Sequence, residues 1–267
     1  MKKNKTDNAI PSFPFDSASR SAGSLIFNYF SLLRGRVKLW ENAHFVFIDV
    51  PLEPAEANKI LPAWMFLRKP YRATFFIADY PKTAFTVPYH EAALLLHIRT
   101  PCGAGVHCPW MIVDDDTALI YGREMLGYPK KMGEFHFTER GKTISADMTR
   151  RGVRLVSVKT VRKETEKNPR PLMGVKTFNI GAMGQFVAFN PIWLFKPIEK
   201  IHASYTATAE LRIGNSPHDP IRKLIADYRN PLPARIGRID ILGSRYLLPV
   251  GMTGLRVYAN SYENRFR

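Results

Sequence analysis

Downstream of Trp40 the chain is written mostly in short apolar or alternating runs, rich in β-branched and aromatic residues and separated by turn residues. AHFVFIDVP (43–51), RATFFIADY (72–80), AALLLHIRT (92–100), WMIVDD (110–115) and TALIYG (117–122) read as strands. GEFHFTE (133–139), KTISADMTR (142–150), VRLVSVKTV (153–161), MGVKTFNIG (173–181), KIHASYTATAELRIG (200–214) and RIDILGSRYLLPV (238–250) continue the series. Two segments read as helices. EPAEANKIL (53–61) has Pro54 in its first turn and stops before Pro62, and DPIRKLIADY (219–228) offers Asp219 as N-cap and Pro220 at the first helical position. Ile221, Leu224, Ile225 and Tyr228 would share one face of that helix. Many strands and few helices predict a mainly β, single-domain, antiparallel barrel-like or sandwich core. Regular βαβ alternation is missing, and no Gly-rich phosphate loop follows a strand, which argues against Rossmann and P-loop enzymes.

Composition refines this. The chain has 267 residues, 45% of them apolar, enough for a sizeable core. The first 35 residues, rich in Ser, Asn, Pro and Lys towards their start, read as a partly loose extension, and 36–267 as the β domain. No apolar run is long enough to span a bilayer as a helix. SLIFNYFSLL (24–33) is too short, and reads as a buried segment or a subunit contact. Net charge is +16, which favours anionic partners. The basic stretch 150–170 alternates with Val and Leu, as the solvated side of a strand does, and no nucleic-acid-binding motif accompanies it. The two cysteines, Cys102 and Cys108, make no disulfide framework and fit a reducing, cytoplasmic setting. With His107 they match no standard zinc spacing, so PCGAGVHCPW reads as a hairpin and no metal is expected.

The chemistry is concentrated in GREMLGYPKKMGEF (122–135). Lys130 and Lys131 follow Tyr128 and Pro129 in apolar surroundings, where an ammonium loses its hydration. A free lysine titrates near 10.4 and only its neutral form attacks a carbonyl; moving it near 7 takes about 4 to 5 kcal/mol. A second ammonium at about 4 Å would supply nearly that, and at about 9 Å roughly 2 kcal/mol. Neighbours on extended backbone point to opposite sides, so desolvation is expected to outweigh repulsion between the two lysines. Pro129 fixes its own φ and helps place the turn.

GREMLGYPKKMG resembles the signature of the acetoacetate decarboxylase family, element by element: Gly122, Arg123, Glu124, Tyr128, Pro129, Lys130, Lys131, Met132 and Gly133. FVFIDVPLEPAEANKILP (45–62), PYHEAALLLHI (88–98) and RIDILGSRYLLP (238–249) resemble other parts of that family more weakly. The resemblance implies a closed, strongly curved antiparallel β structure with an internal pocket, and homo-oligomeric assembly. Lys130 would form a Schiff base with a small keto acid, and Lys131 would be its cationic neighbour. Glu91, which matches a family glutamate, would position Lys131 or relay protons; as a bare residue it also reads as a solvated strand start. Arg123 and Glu124 would brace the turn. No cofactor is implied, because the lysine itself is the electron sink. The chain departs from the family at two places. Asn42, with Ala43 and His44, stands where an arginine is typical, and Phe75 and Phe76 stand where a second glutamate is typical. The pocket is therefore expected to be more apolar and its substrate bulkier, with Arg72 or Arg245 as replacement cation. Decarboxylation of a β-keto acid is the leading expectation. Aldol condensation and dehydration of a keto acid such as pyruvate with an aldehyde shares the same enamine logic. A non-catalytic barrel binding an anionic ligand is the reading of another class.

Overall fold

The computed structural model describes residues 38–181, 190–254 and Val257. The expected N-terminal extension and SLIFNYFSLL lie outside the described residues. In chain order the elements begin β1 (Trp40–Pro51), α1 (Pro54–Ile60), β2 (Phe66–Leu67), β3 (Arg72–Tyr80), β4 (Lys82–Thr83), β5 (Tyr89–Thr100) and β6 (Gly103–Val113). Then come α2 (Asp116–Leu126), β7 (Lys130–Met132), β8 (Glu134–Arg140), β9 (Thr143–Arg150) and β10 (Val153–Thr165). The chain continues with β11 (Thr177–Ile180), β12 (Asn190–Ile213), a 3-10 turn (Pro220–Leu224) and β13 (Leu232–Thr253).

The main hydrogen-bonded order is β11-β6-β5-β3-β1-β13-β12, and β11 also pairs with β12. Those seven strands therefore close on themselves, leaving β10, β9 and β8 as an outer sheet hung from β12. Most pairs are antiparallel. The β11–β6 and β6–β7 pairs are parallel, so the sheet is mixed rather than purely antiparallel. Alternation along each strand divides the apolar residues between two cores. Phe45, Phe47, Phe76, Tyr80, Tyr89 and Leu95 fall in the core inside the barrel. Val46, Ile48, Phe75, Trp110 and Ile112 fall in the other, beneath α1, the 3-10 turn and outer-sheet residues such as Met148 and Leu155.

α1 forms as predicted, with Pro54 at its start, the Glu53 side chain accepting from the Ala55 N–H, and an extended Leu61 before Pro62. Two expectations are overturned. TALIYG is not a strand. It lies within α2, where the Asp115 side chain accepts from the Ala118 N–H and Gly127, in the left-handed region at φ 68°, closes the C-terminus. A six-residue apolar run cannot by itself separate the two periods; the caps on either side decide. The segment 219–228 gives only a 3-10 turn, and Ile225 is extended and bridges to Leu52. Asp219 makes no cap hydrogen bond, because its carboxylate is engaged elsewhere. Ile221, Leu224 and Ile225 are nonetheless buried together. PCGAGVHCPW holds a hairpin turn followed by β6: Cys102 is exposed in the turn, Cys108 is buried, and the His107 ring is 2.7 Å from the Phe178 carbonyl. Among the described residues no helix is long and apolar enough to cross a membrane.

Candidate active site

The lysine pair is presented by a short, tightly bonded connection. After α2 the Tyr128 N–H donates to the Gly122 carbonyl (3.0 Å), and the Lys130 N–H donates to the Tyr128 carbonyl (2.8 Å), closing a three-residue turn around Pro129. Arg123 donates from Nη1 to the Lys130 carbonyl at 2.9 Å, and so braces the turn. Glu124 does not; it is exposed and makes no side-chain hydrogen bond among the described residues. Gly122, Arg123 and Glu124 belong to the last turns of α2 rather than to a separate turn. β7 then pairs with β6, Lys130 opposite Met111 and Lys131 opposite Ile112.

On this extended backbone the two lysines take opposite faces, and both are 5% exposed. Lys130 enters the barrel. Its ammonium lies 2.6 Å from Glu91 Oε2, with Glu91 itself 4% exposed, and 5.6 Å from the centre of the Tyr89 ring. The Tyr80 hydroxyl donates to Glu91 Oε1 at 3.2 Å, and the Trp40 indole donates to the Tyr89 hydroxyl at 2.8 Å. Burial, helped by the Glu91 charge, pushes both phenols well above their ordinary value, so Tyr80 remains a donor at any working pH. A cavity of about 60 Å³ adjoins the amine, bounded by apolar groups that include Trp40, Phe85, Tyr121, Met125, Leu126 and Leu247. Tyr128 is buried in the same core, its hydroxyl 3.4 Å from Thr177 Oγ1. Gly122 is part of the site in a negative sense. A Cβ there would collide with Lys130 Cε and Cδ, so the helix must carry no side chain where the lysine passes.

Lys131 points to the other core. It forms an ion pair with Asp219, whose second oxygen accepts from Arg150 Nη1 at 2.5 Å, while the Trp110 indole donates to its first oxygen at 3.1 Å. Burial outweighs the Asp219 charge and lowers Lys131 to about 8, with Arg150 acting in the same direction. Lys131 is thus still mostly protonated at neutral pH, and its charge is met on the far side of the strand from Lys130. Glu91 serves Lys130, not Lys131, which corrects one of its two expected roles; the solvated strand start is excluded by its burial.

The expected replacement cations do not enter the site. Arg72 pairs with Asp49 at 2.8 Å, at the opposite end of β3 from Tyr80, about 26 Å along the strand. Arg245 is exposed on β13. Asn42 is exposed in a bulge with φ 50°, and its N–H donates to Asp240; His44 lies 3.2 Å from Glu139. Phe76, fully buried, shares the lumen core with Phe45, while Phe75 faces the other core. The sequence reading missed Tyr80, Tyr89, Arg150, the packing of Lys130 against Gly122 and the use of Asp219. Strand alternation could have aligned Tyr80 and Tyr89 with Glu91, whereas nothing local marks Arg150 or Asp219.

Among solved structures, acetoacetate decarboxylase from Legionella pneumophila superposes with a TM-score of 0.70 at 17% identity, over 81% of this chain and 88% of that one. A second acetoacetate decarboxylase structure gives 0.71 at 15% identity, over 80% and 88%. The enduracididine biosynthesis enzyme MppR, complexed with pyruvate, gives 0.64 at 16%, over 78% and 89%. No curated protein matches the chain by sequence. Residues 28–227 match the acetoacetate decarboxylase family model, and with the lysine turn, the buried glutamate and the closed barrel in place, the chain belongs to that family.

Proposed function

We propose that the protein is a Schiff-base decarboxylase of a β-keto acid, with Lys130 as the nucleophile. The observation that carries this reading is a buried amine in hydrogen-bonding reach of one buried carboxylate, at the edge of an apolar cavity. Glu91 takes a proton from the ammonium, and the freed amine adds to the ketone. Loss of water gives an iminium two bonds from the carbon that bears the carboxylate. The carbon–carboxylate bond breaks, its electrons move into the iminium, and carbon dioxide departs from an enamine. Glu91, having given its first proton to the departing water and taken another from solvent, protonates the enamine carbon, and water releases the ketone and the lysine ammonium. Tyr80 holds Glu91 in place throughout.

The nature of the cavity favours decarboxylation over aldol condensation. A departing carboxylate loses its charge, and apolar walls assist that change. A condensing pyruvate keeps its carboxylate and needs a cation to hold it, yet apart from Lys130 no described residue lining this cavity is cationic. Exposed Tyr246, Leu248 and Met252 near the end of β13 support self-association, and two free cysteines support a cytoplasmic setting. The test is to incubate the protein with acetoacetate or longer 3-keto acids and borohydride, weigh the peptide containing Lys130, and follow carbon dioxide. Adduct with gas release is the expected result. Adduct without gas, and an enone from pyruvate and an aldehyde, would move the assignment to the aldol reaction. An unlabelled, folded protein would remove both enzyme readings.

A further inference from the structure

The barrel has a second end that the Schiff-base chemistry does not use. On β5, His97 lies six residues beyond Glu91, about 20 Å along the strand and on the same face. Asp49 on β1 and Thr74 on β3 reach the same end. Between the two ends the lumen is filled by Phe45, Phe47, Phe76 and Leu95. Beyond that plug opens a cavity of about 640 Å³, with Phe47, Leu95, Val106 and Leu172 among its apolar lining.

Five cationic side chains line it as well: Arg68, Arg170, Lys176, Lys196 and Arg235. Its one lining carboxylate, Asp49, is engaged by Arg72 at 2.8 Å. Arg235 is matched by Glu166 at 2.8 Å, and Lys176 donates to the Cys102 carbonyl at 2.6 Å. Arg68, Arg170 and Lys196 have no carboxylate within 4.0 Å among the described residues, although Arg170 still acts on Glu166 at longer range. Thr74 Oγ1 and His97 Nε2, 2.8 Å apart, add neutral polar groups to the wall.

We propose that this cavity binds a phosphorylated small molecule with an apolar body, at a site separate from Lys130. Cations gathered in excess of the nearby carboxylates, Asp49 and Glu166, repel one another, and a bound anion relieves that repulsion. A phosphate monoester carries up to two charges and three acceptor oxygens, so it satisfies several of these groups at once, and arginine forks match its geometry. The apolar floor accepts the hydrocarbon or aryl part. The volume lies within the small-molecule range, and a closed floor suits a compact ligand better than an extended polyanion.

The test is calorimetric titration of the full chain with 2-naphthyl phosphate. Saturable binding of one ligand per chain is expected, with 2-naphthol and inorganic phosphate each at least tenfold weaker. Arg68→Gln with Arg170→Gln should lower affinity at least tenfold without changing the thermal midpoint, and Lys130→Met should leave it intact. Lys142→Gln with Lys159→Gln, exposed cations at the outer sheet, removes the same charge and should change it less than threefold. The proposal is overturned by no saturable binding at millimolar ligand, by equal losses in the two double variants, or by loss of binding in Lys130→Met.

Discussion

Lys130 and Lys131 are adjacent in sequence, equally buried, and each is matched to one buried carboxylate, yet they occupy different chemical worlds. Lys130 has a single carboxylate, a tyrosine behind it and empty space beside it. Lys131 meets an aspartate already bonded to Arg150 and Trp110, between strands and a 3-10 turn packed around it. Burial alone therefore does not single out a nucleophile. The distinction lies in an adjoining cavity and in a carboxylate that faces it, against one held by three donors between packed elements.

The largest effect that would break this contrast is at Lys130 itself. Lys130→Met should abolish borohydride labelling by keto acids and all turnover, whereas Lys131→Met should still be labelled; equal loss in both would end the distinction. Next, Asp219→Asn removes the anion that faces the buried Lys131 and should cost about 3 to 5 kcal/mol, read from the denaturant midpoint. Glu91→Gln keeps the hydrogen-bonding shape but removes the proton acceptor, and should slow labelling about 100-fold in stopped time courses. Gly122→Ala should slow labelling roughly tenfold through displacement of the Lys130 stem, because misplacement by an ångström is costly; the helix itself should not lose stability, since alanine is the better helix former by about 1 kcal/mol. The last effect concerns pH. Lys131 is lowered to about 8 in the folded protein and lies near 10.4 when unfolded, so between these values the unfolded chain holds more protons. Its burial penalty is fully present below about pH 8 and is relieved as pH rises towards 10. Wild type should gain of order 1 to 3 kcal/mol relative to Lys131→Met over that interval, as measured by paired urea titrations.

How much of this was legible in the sequence follows from the range of the forces involved. Strand runs and the turn at Pro129 are set by neighbours within a few residues, and they were readable. Lys130 could be singled out because its surroundings carry a dense local signature. Glu91 could be placed on its strand, but its partner depends on which face of β7 each lysine takes. TALIYG failed because six residues fit either period and its caps, Asp115 and Gly127, lie outside the run. Asp219 sat at a plausible cap position, yet a buried cation from 88 residues away in sequence took its carboxylate. Arg245 looked available as a pocket cation, but its placement on β13 turns it to solvent. Long-range electrostatics of this kind leave no imprint on local composition.

The closure of the barrel has an uneven wall. β12 and β13 are joined along nearly their whole length, while β11 meets β6 through a single registered pair, Thr177 with Val106, helped by the Val106 N–H on the Lys176 carbonyl. That seam lies beside Tyr128, so the thinnest stitching in the wall borders the turn that carries Lys130. With so few bonds to break, local opening of the barrel wall should begin there, and the Val106 amide should exchange with solvent sooner than those along β12 and β13.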